Sequence, residues 1–266
     1  MPEGPATNIR SSITALEDTL SSARNSMNLG YTCPKTAAFV EKSSVGLRTT
    51  MKTTDDEATR KAAYEGLYSI GGFVLQNGFV DIVKQRNALA KALGYVDFYD
   101  YKVTQAEGFD KATLFGILDT LLEGSQPLLE SARAQLVAEK GKSAGDPWNT
   151  GFLMAGSVEE ALDPYFPFEK ALENWGRSFS KLGIEYKGAT MTLDLLDRKG
   201  KYSNGFCHWP QPAWVKADGS FQPSTTNFTS LADPSAVGSG KTALTTLMHE
   251  VVWCSWCSGV AGVMEC

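Results

Sequence analysis

Thr242-Ala243-Leu244-Thr245-Thr246-Leu247-Met248-His249-Glu250-Val251-Val252-Trp253 reads as one helix, because Ala243, Leu244, Leu247 and Met248 recur at three- and four-residue spacing. Its polar pair, His249-Glu250, is half of the metal-binding pattern H-E-x-x-H. In that pattern two imidazoles one turn apart hold Zn2+, and the glutamate between them acts as general base toward a metal-bound water. One turn beyond His249 this chain has Trp253, whose indole is a hydrogen-bond donor without a lone pair for a metal. An isolated H-E pair on a helix is more often a surface pair than a ligand, so its meaning rests on the surroundings.

Immediately upstream lies Gly238-Ser239-Gly240-Lys241-Thr242, which invites comparison with a phosphate-binding loop. The pattern G-x-x-x-x-G-K-[ST] needs glycine at 235, where this chain has Ser235, and it needs an apolar strand before the loop. No such strand is evident, so the expected role of the segment is to open the last helix with Ser239 as N-cap. Downstream, Cys254-Ser255-Trp256-Cys257 has the spacing of a thiol redox pair but not the βαβ context. His249, Cys254, Cys257 and Cys266 offer ligand types for a tetrahedral zinc site of their own; idle, reduced thiols are the plainer expectation for all five cysteines.

Further out, the chain reads as mainly α. Helices are expected from Ser11 to Tyr101, with apolar spacing over Ala58–Leu75 and again over Val80–Leu93, stopped at Gly94. Asp110 can cap a helix through Leu114, Ile117, Leu118 and Leu121. Pro127 can open another through Leu128, Ala132 and Leu136, which predicts an antiparallel pair joined at Gly124-Ser125. From Gly141 to Gly156 the pattern lapses, marking a boundary or a long loop. Pro167, Phe168, Leu172, Trp175, Phe179, Leu182 and a Gly183 stop make a strongly amphipathic helix whose aromatic stripe belongs in a core. Alternation over Ile184–Leu195 then predicts a small strand element, with strand content between Ile184 and His208. The segment 197–240 is rich in Gly, Ser, Thr and Pro.

The length, 266 residues, allows one or two domains with a sizeable core, and 42% hydrophobic with 21% charged residues is an ordinary globular composition. Twenty-five Lys and Arg against 30 Asp and Glu leave a net charge of −5 with no basic block, which argues against nucleic-acid and anionic-membrane partners. The longest uncharged apolar run, Val251–Met264, has 14 residues, short of the roughly 20 that span a bilayer. Neither a basic start nor an apolar core follows Met1-Pro2-Glu3-Gly4-Pro5, and the expected location is cytoplasmic.

Several separated blocks belong together: Asp55-Asp56-Glu57-Ala58, Arg86-Asn87-Ala88-Leu89-Ala90-Lys91 with Leu93-Gly94-Tyr95, Tyr165-Phe166-Pro167 and Leu193-Asp194-Leu195-Leu196-Asp197-Arg198-Lys199-Gly200-Lys201. The series continues through Phe206-Cys207-His208-Trp209-Pro210 and Thr226-Asn227-Phe228 to Thr246-Leu247-Met248-His249-Glu250. Taken in this order, the blocks resemble the thimet oligopeptidase and oligopeptidase F family of zinc metallopeptidases. The resemblance implies a mainly α, zincin-like helical fold, here partial, with a small β element before the zinc helix and a deep channel for short peptide substrates. It implies His249 as the first Zn2+ ligand and Glu250 as the catalytic base. It places Trp253 where the second histidine is expected, and the third ligand and substrate contacts beyond Cys266.

After Glu250 the likeness stops, and a frameshift or intron read-through at the Glu250/Val251 junction would explain that. The resulting expectation is an N-terminal helical region (1–145), a partial metallopeptidase catalytic region (146–250) and an aberrant tail (251–266). The chain is expected to be a zinc metalloendopeptidase by family, acting in the proteolysis of short peptides, but itself inactive. A non-catalytic peptide-binding remnant and a P-loop nucleotide binder are the alternatives.

Overall fold

The computed structural model describes residues 5–257 apart from 185, 199 and 202–204, and only the backbone at 5, 155–157 and 250–257. The chain divides into two compact units, 1–28 with 65–150 and 29–64 with 151–266.

The first unit is helical. It contains α1 (Pro5–Asn25), the C-terminal part of α3 (Glu57–Gln76), α4 (Phe79–Ala92), α5 (Phe98–Glu107) and α6 (Lys111–Lys140). Helix α1 packs on α4, α4 on α5 and α5 on α6. Ile13, Ile82, Leu89, Ala90 and Val103 are buried there. Arg86 binds Glu17 at 2.6 Å and lies 5.1 Å from the ring centre of Phe98, tying α4 to both neighbours. The expected cap holds at Asp110, whose carboxylate accepts from the backbone N–H of Thr113, and Asp97 caps α5 in the same way through Asp100 N–H.

Helix α6 corrects the sequence reading. It runs 30 residues without a turn at Gly124-Ser125, and Pro127 lies inside it. A proline there removes one backbone hydrogen bond. Strong helix formers on both sides, Leu121-Leu122-Glu123 and Leu128-Leu129-Glu130, favour helix across it, and no residue of α6 is buried, so the loss disturbs no core. The glycine- and proline-containing stretch after α6 holds a 3-10 turn (Lys142–Gly145) and then, within the expected loop, the start of α7 (Thr150–Leu162).

In the second unit a short hairpin, β1 (Gly30–Thr32) with β2 (Phe39–Glu41), interrupts what the sequence suggested was all helix. Helix α2 (Ser44–Thr53) follows, capped by Ser43, whose Oγ accepts from Gly46 N–H at 3.0 Å. Further along, a 3-10 turn (Phe168–Lys170) leads into α8 (Ala171–Lys181).

A three-stranded sheet comes next. Its order is β3 (Thr190–Leu196), β7 (Thr225–Ala232), β4 (Phe206–Gln211), with β3 parallel and β4 antiparallel to β7. Two short strands, β5 (Trp214–Val215) and β6 (Phe221–Gln222), form a separate hairpin. The central strand therefore lies outside the 184–208 window expected for strands. Its inward residues Thr226 and Ser230 are polar and satisfied, donating to Thr190 O at 3.3 Å and Leu195 O at 2.9 Å, so no apolar alternation marks it.

Helix α9 (Ser239–Cys257) packs on β7, β4 and α8. Ala171, Phe228, Ala232, Ala243 and Leu247 form the core between them, with Phe168 and Trp175 against it. The aromatic stripe is core, as expected, but only on one side: Leu172 and Leu182 are exposed. Among the described residues no helix is long and apolar enough to cross a membrane.

Candidate functional site

The sheet and its core fix α9 along the line from Ala243 through Leu247, which are 2% and 0% exposed. His249, two residues past Leu247, is turned away from that buried line and is exposed. Glu250 and Trp253 lie on the same helix, in the part where only the backbone is described. His208, the other histidine of the chain, is exposed on β4, opposite Asn227 of β7. Among the described residues no group of three or more His, Cys, Asp or Glu could hold a metal ion. At the H-E-x-x-H positions of α9 the chain offers one imidazole and the adjacent carboxylate, with an indole where the second imidazole would stand, and these positions alone do not supply the three protein ligands of a catalytic zinc site.

The N-terminus of α9 has a different chemistry from the one its sequence suggested. A strand does precede the glycine-rich segment: β7 ends at Ala232 and α9 begins seven residues later. Yet Lys241, the residue a phosphate-binding loop would aim at its ligand, binds Glu159 of α7 at 2.5 Å. Lys52 of α2 reaches the same Glu159 oxygen at 2.6 Å. The Glu159 side chain is 8% exposed. Burial pushes its carboxyl up, but the hydrogen bonds from Lys241 and Lys52 outweigh this and hold it below the ordinary 4.5. The lysine is thus spent on an internal ion cluster that joins α2, α7 and α9.

Ser239 is not the N-cap. It is the first helical residue, Gly238 accepts the opening hydrogen bond from Thr242 N–H at 3.0 Å, and the Ser239 hydroxyl has no partner. Gly238 adopts φ +77°, a conformation that favours glycine, while its own N–H donates to Asp163 at 2.7 Å. At Gly240 the restriction is space: a Cβ would stand 1.7 Å from the carbonyl oxygen of Phe166.

Between α2 and the segment leading into α9 lies a cavity of about 250 Å3. It is lined by Lys42, Thr49, Thr53, Asp197, Asp233 and Ser239 among others. Asp197 Oδ2 accepts from the Ser43 hydroxyl, and its Oδ1 is buried without a partner. Nothing in the sequence singled out this cavity, because its wall is assembled from α2, the end of β3 and the 233–239 loop. Below it, Lys201 anchors the sheet: its amine, on a side chain only 4% exposed, donates to the carbonyls of Asp194, Leu196 and Ser230 and to the Asp194 carboxylate. Hydrogen bonds from Arg198 and Lys201 hold the Asp194 carboxyl far below the usual carboxylate range. Cys207 is disulfide-bonded, against the expectation of reduced thiols, and Cys33 is free.

A mainly α chain with a small sheet packed on its last helix is the architecture expected of a helical metallopeptidase. Residues 50–251 match peptidase family M3, and the chain belongs to this family of zinc metallopeptidases. Among solved structures, PZ peptidase A with inhibitor 2 is similar at 14% identity with a TM-score of 0.57, over 93% of this chain and 42% of that one. The likeness is one of fold, and the chain spans less than half the length of that protein. The curated proteins give no match.

Proposed function

We propose that this chain derives from an M3 oligopeptidase acting on short peptides, that 146–250 is the partial catalytic region, and that the chain as it stands does not hydrolyse them. In this reading His249 occupies the position of the first zinc ligand and Glu250 that of the general base. The supporting observation is that the family match runs to residue 251, taking in His249 and Glu250, while Trp253 stands where a second imidazole is required. A lone imidazole holds zinc neither tightly nor in fixed geometry. Glu250 then faces no acidified water, since an unbound water keeps a pKa far above the ~7 of catalytic zinc sites.

The test measures zinc per chain and the cleavage of a quenched peptide with added Zn2+. The chain is expected to hold no stoichiometric zinc and to show no turnover. Trp253→His alone should not restore cleavage, whereas a chimera carrying an intact relative's sequence after Glu250 should. Turnover by the chain as given, abolished by His249→Ala, would overturn the reading.

A further inference from the structure

Helix α6 is held at its two ends, and the described residues leave its middle uncovered. At the start Lys111 pairs with Asp97, its N–H donates to Asp100 at 3.1 Å, and Phe115 meets Tyr99 of α5 with ring centres 6.0 Å apart. At the far end Arg133 donates to Gly145 O at 2.9 Å. Its 30 residues make a rod about 45 Å long, and none of them is buried. The large apolar residues from Phe115 to Leu129 are 44–73% exposed. Together they leave on the order of 700 Å2 of apolar surface open. That exceeds the roughly 300–600 Å2 of the largest apolar patch on an ordinary monomer. It approaches the roughly 800 Å2 that each partner gives to a stable interface of standard size.

The order of these residues points to the partner. Counted three, four, seven and eleven positions from Ser125 in either direction, the chain has Leu122 and Leu128, Leu121 and Leu129, Leu118 and Ala132, Leu114 and Leu136. Steps of that size return to one face of a helix. A two-fold contact requires that residue i of one copy meet j of the other and j meet i. An antiparallel pair centred on Ser125 meets that requirement for all four sets. At the centre Gly124 and Ser125 are small, and a Cβ at Gly124 would find nothing within 4 Å, so two helix axes can approach closely. Asp119, Glu123, Pro127 and Glu130 fall on the far side of the helix. Fourteen positions from Ser125, on the same face, stand Lys111 and Glu139. Antiparallel pairing brings each Lys111 to the Glu139 of the other copy, whereas a parallel pair in register would set like charges together. Lys111 is already bound to Asp97, so this rim contact sets direction more than strength.

We propose that α6 is a dimerisation helix, packing antiparallel on α6 of a second copy of this chain about a two-fold axis at Ser125. The contact uses neither His249 nor zinc and stands apart from the peptidase reading.

The experiment is sedimentation equilibrium of the full chain from about 0.5 to about 100 µM. The mass is expected to rise from 28.8 kDa to twice that value and stop there, with a dissociation constant on the order of 10 µM. At the dilute end the face stays open to a hydrophobic dye, and dye bound per chain falls as the dimer forms. Leu128→Glu replaces a side chain 73% exposed, so the fold is kept, and circular dichroism checks this. It should weaken the dimer at least about a hundredfold, since each copy then buries a carboxylate against Leu122 of the other. Adding Leu122→Lys in the same chain sets a lysine against each new carboxylate and should recover at least about tenfold of the loss. Glu123→Gln, on the far side, should leave the dissociation constant unchanged. A mass of 28.8 kDa at every concentration would overturn the proposal and leave the face for the remainder of a longer chain. Growth beyond two copies, a dimer undiminished by Leu128→Glu, or failure of the Leu122→Lys rescue would overturn the antiparallel two-fold contact.

Discussion

Gly240→Ala reverses the usual sign of a glycine-to-alanine change in a helix. In an open helical position alanine is favoured by up to about 1 kcal/mol. At Gly240, the second residue of α9, the new Cβ stands 1.7 Å from Phe166 O, 2.8 Å from Phe166 C and 2.9 Å from Phe168 N. Ordinary contact begins at 3.4 Å, so the first turn of α9 and the 166–168 backbone must part by roughly half that distance. All three obstructing atoms are backbone, and no rotamer change relieves them. Overpacking of this kind costs about 3 kcal/mol at the upper end of its usual range, and the helix preference offsets at most a third of it.

The net expectation is destabilisation of the second unit by about 2 kcal/mol or more, with the core of Phe228, Ala243 and Leu247 loosened as α9 shifts. Gly176→Ala in α8 is the control, because nothing lies within 4 Å of its Cβ; it should gain about 0.5–1 kcal/mol. Urea unfolding followed by tryptophan fluorescence reads both through Trp175, which packs on this core. If Gly240→Ala unfolds within about 0.5 kcal/mol of the parent, the close approach of α9 to Phe166 is wrong.

Further outcomes follow from the polar interior and the surface. Glu159→Gln should cost about 1–3 kcal/mol, less than a fully buried pair because Lys52 and Lys241 are 41% and 29% exposed. The depressed Glu159 carboxyl contributes stability above pH 4.5 that is lost as pH falls through its lower folded value. Acid titration of stability should therefore flatten in the glutamine variant, and an unchanged acid limb would refute the ion cluster. Lys201→Met strands three carbonyls beneath the sheet, and a loss of about 2–4 kcal/mol by chemical denaturation is expected. On α6, Leu121, Leu122, Leu128 and Leu129 are 58–73% exposed. Hydrophobic-dye binding should be strong and should fall when Leu128 and Leu129 are replaced by glutamine; no change would show that the dye reports another surface.

The sequence carried the helices where an apolar line was clear, as after the Asp110 cap and along the Phe168–Phe179 stripe. It misled where the decisive interactions were not local. Pro127 has the signature of a helix start, yet α6 passes through it because both flanks favour helix. Strand β7 looked like loop because Thr226 and Ser230 face inward and find carbonyl partners on β3, which no periodicity can announce.

The glycine-rich segment shows the same limit from the side of function. Gly238, Ser239, Gly240 and Lys241 stand as in a phosphate-binding loop, and a strand does lead into them. Each residue nevertheless answers to a neighbour distant in sequence: Gly238 to Asp163, Gly240 to Phe166, Lys241 to Glu159. Only the Ser239 hydroxyl is left without an internal partner. A motif of this type is phosphate-binding when its lysine is free to reach the ligand, and here a carboxylate 82 residues away has taken it. With Asp163 on the Gly238 N–H and Glu159 on Lys241, two carboxylates already stand at this helix end, and a polyphosphate brought to it would meet both.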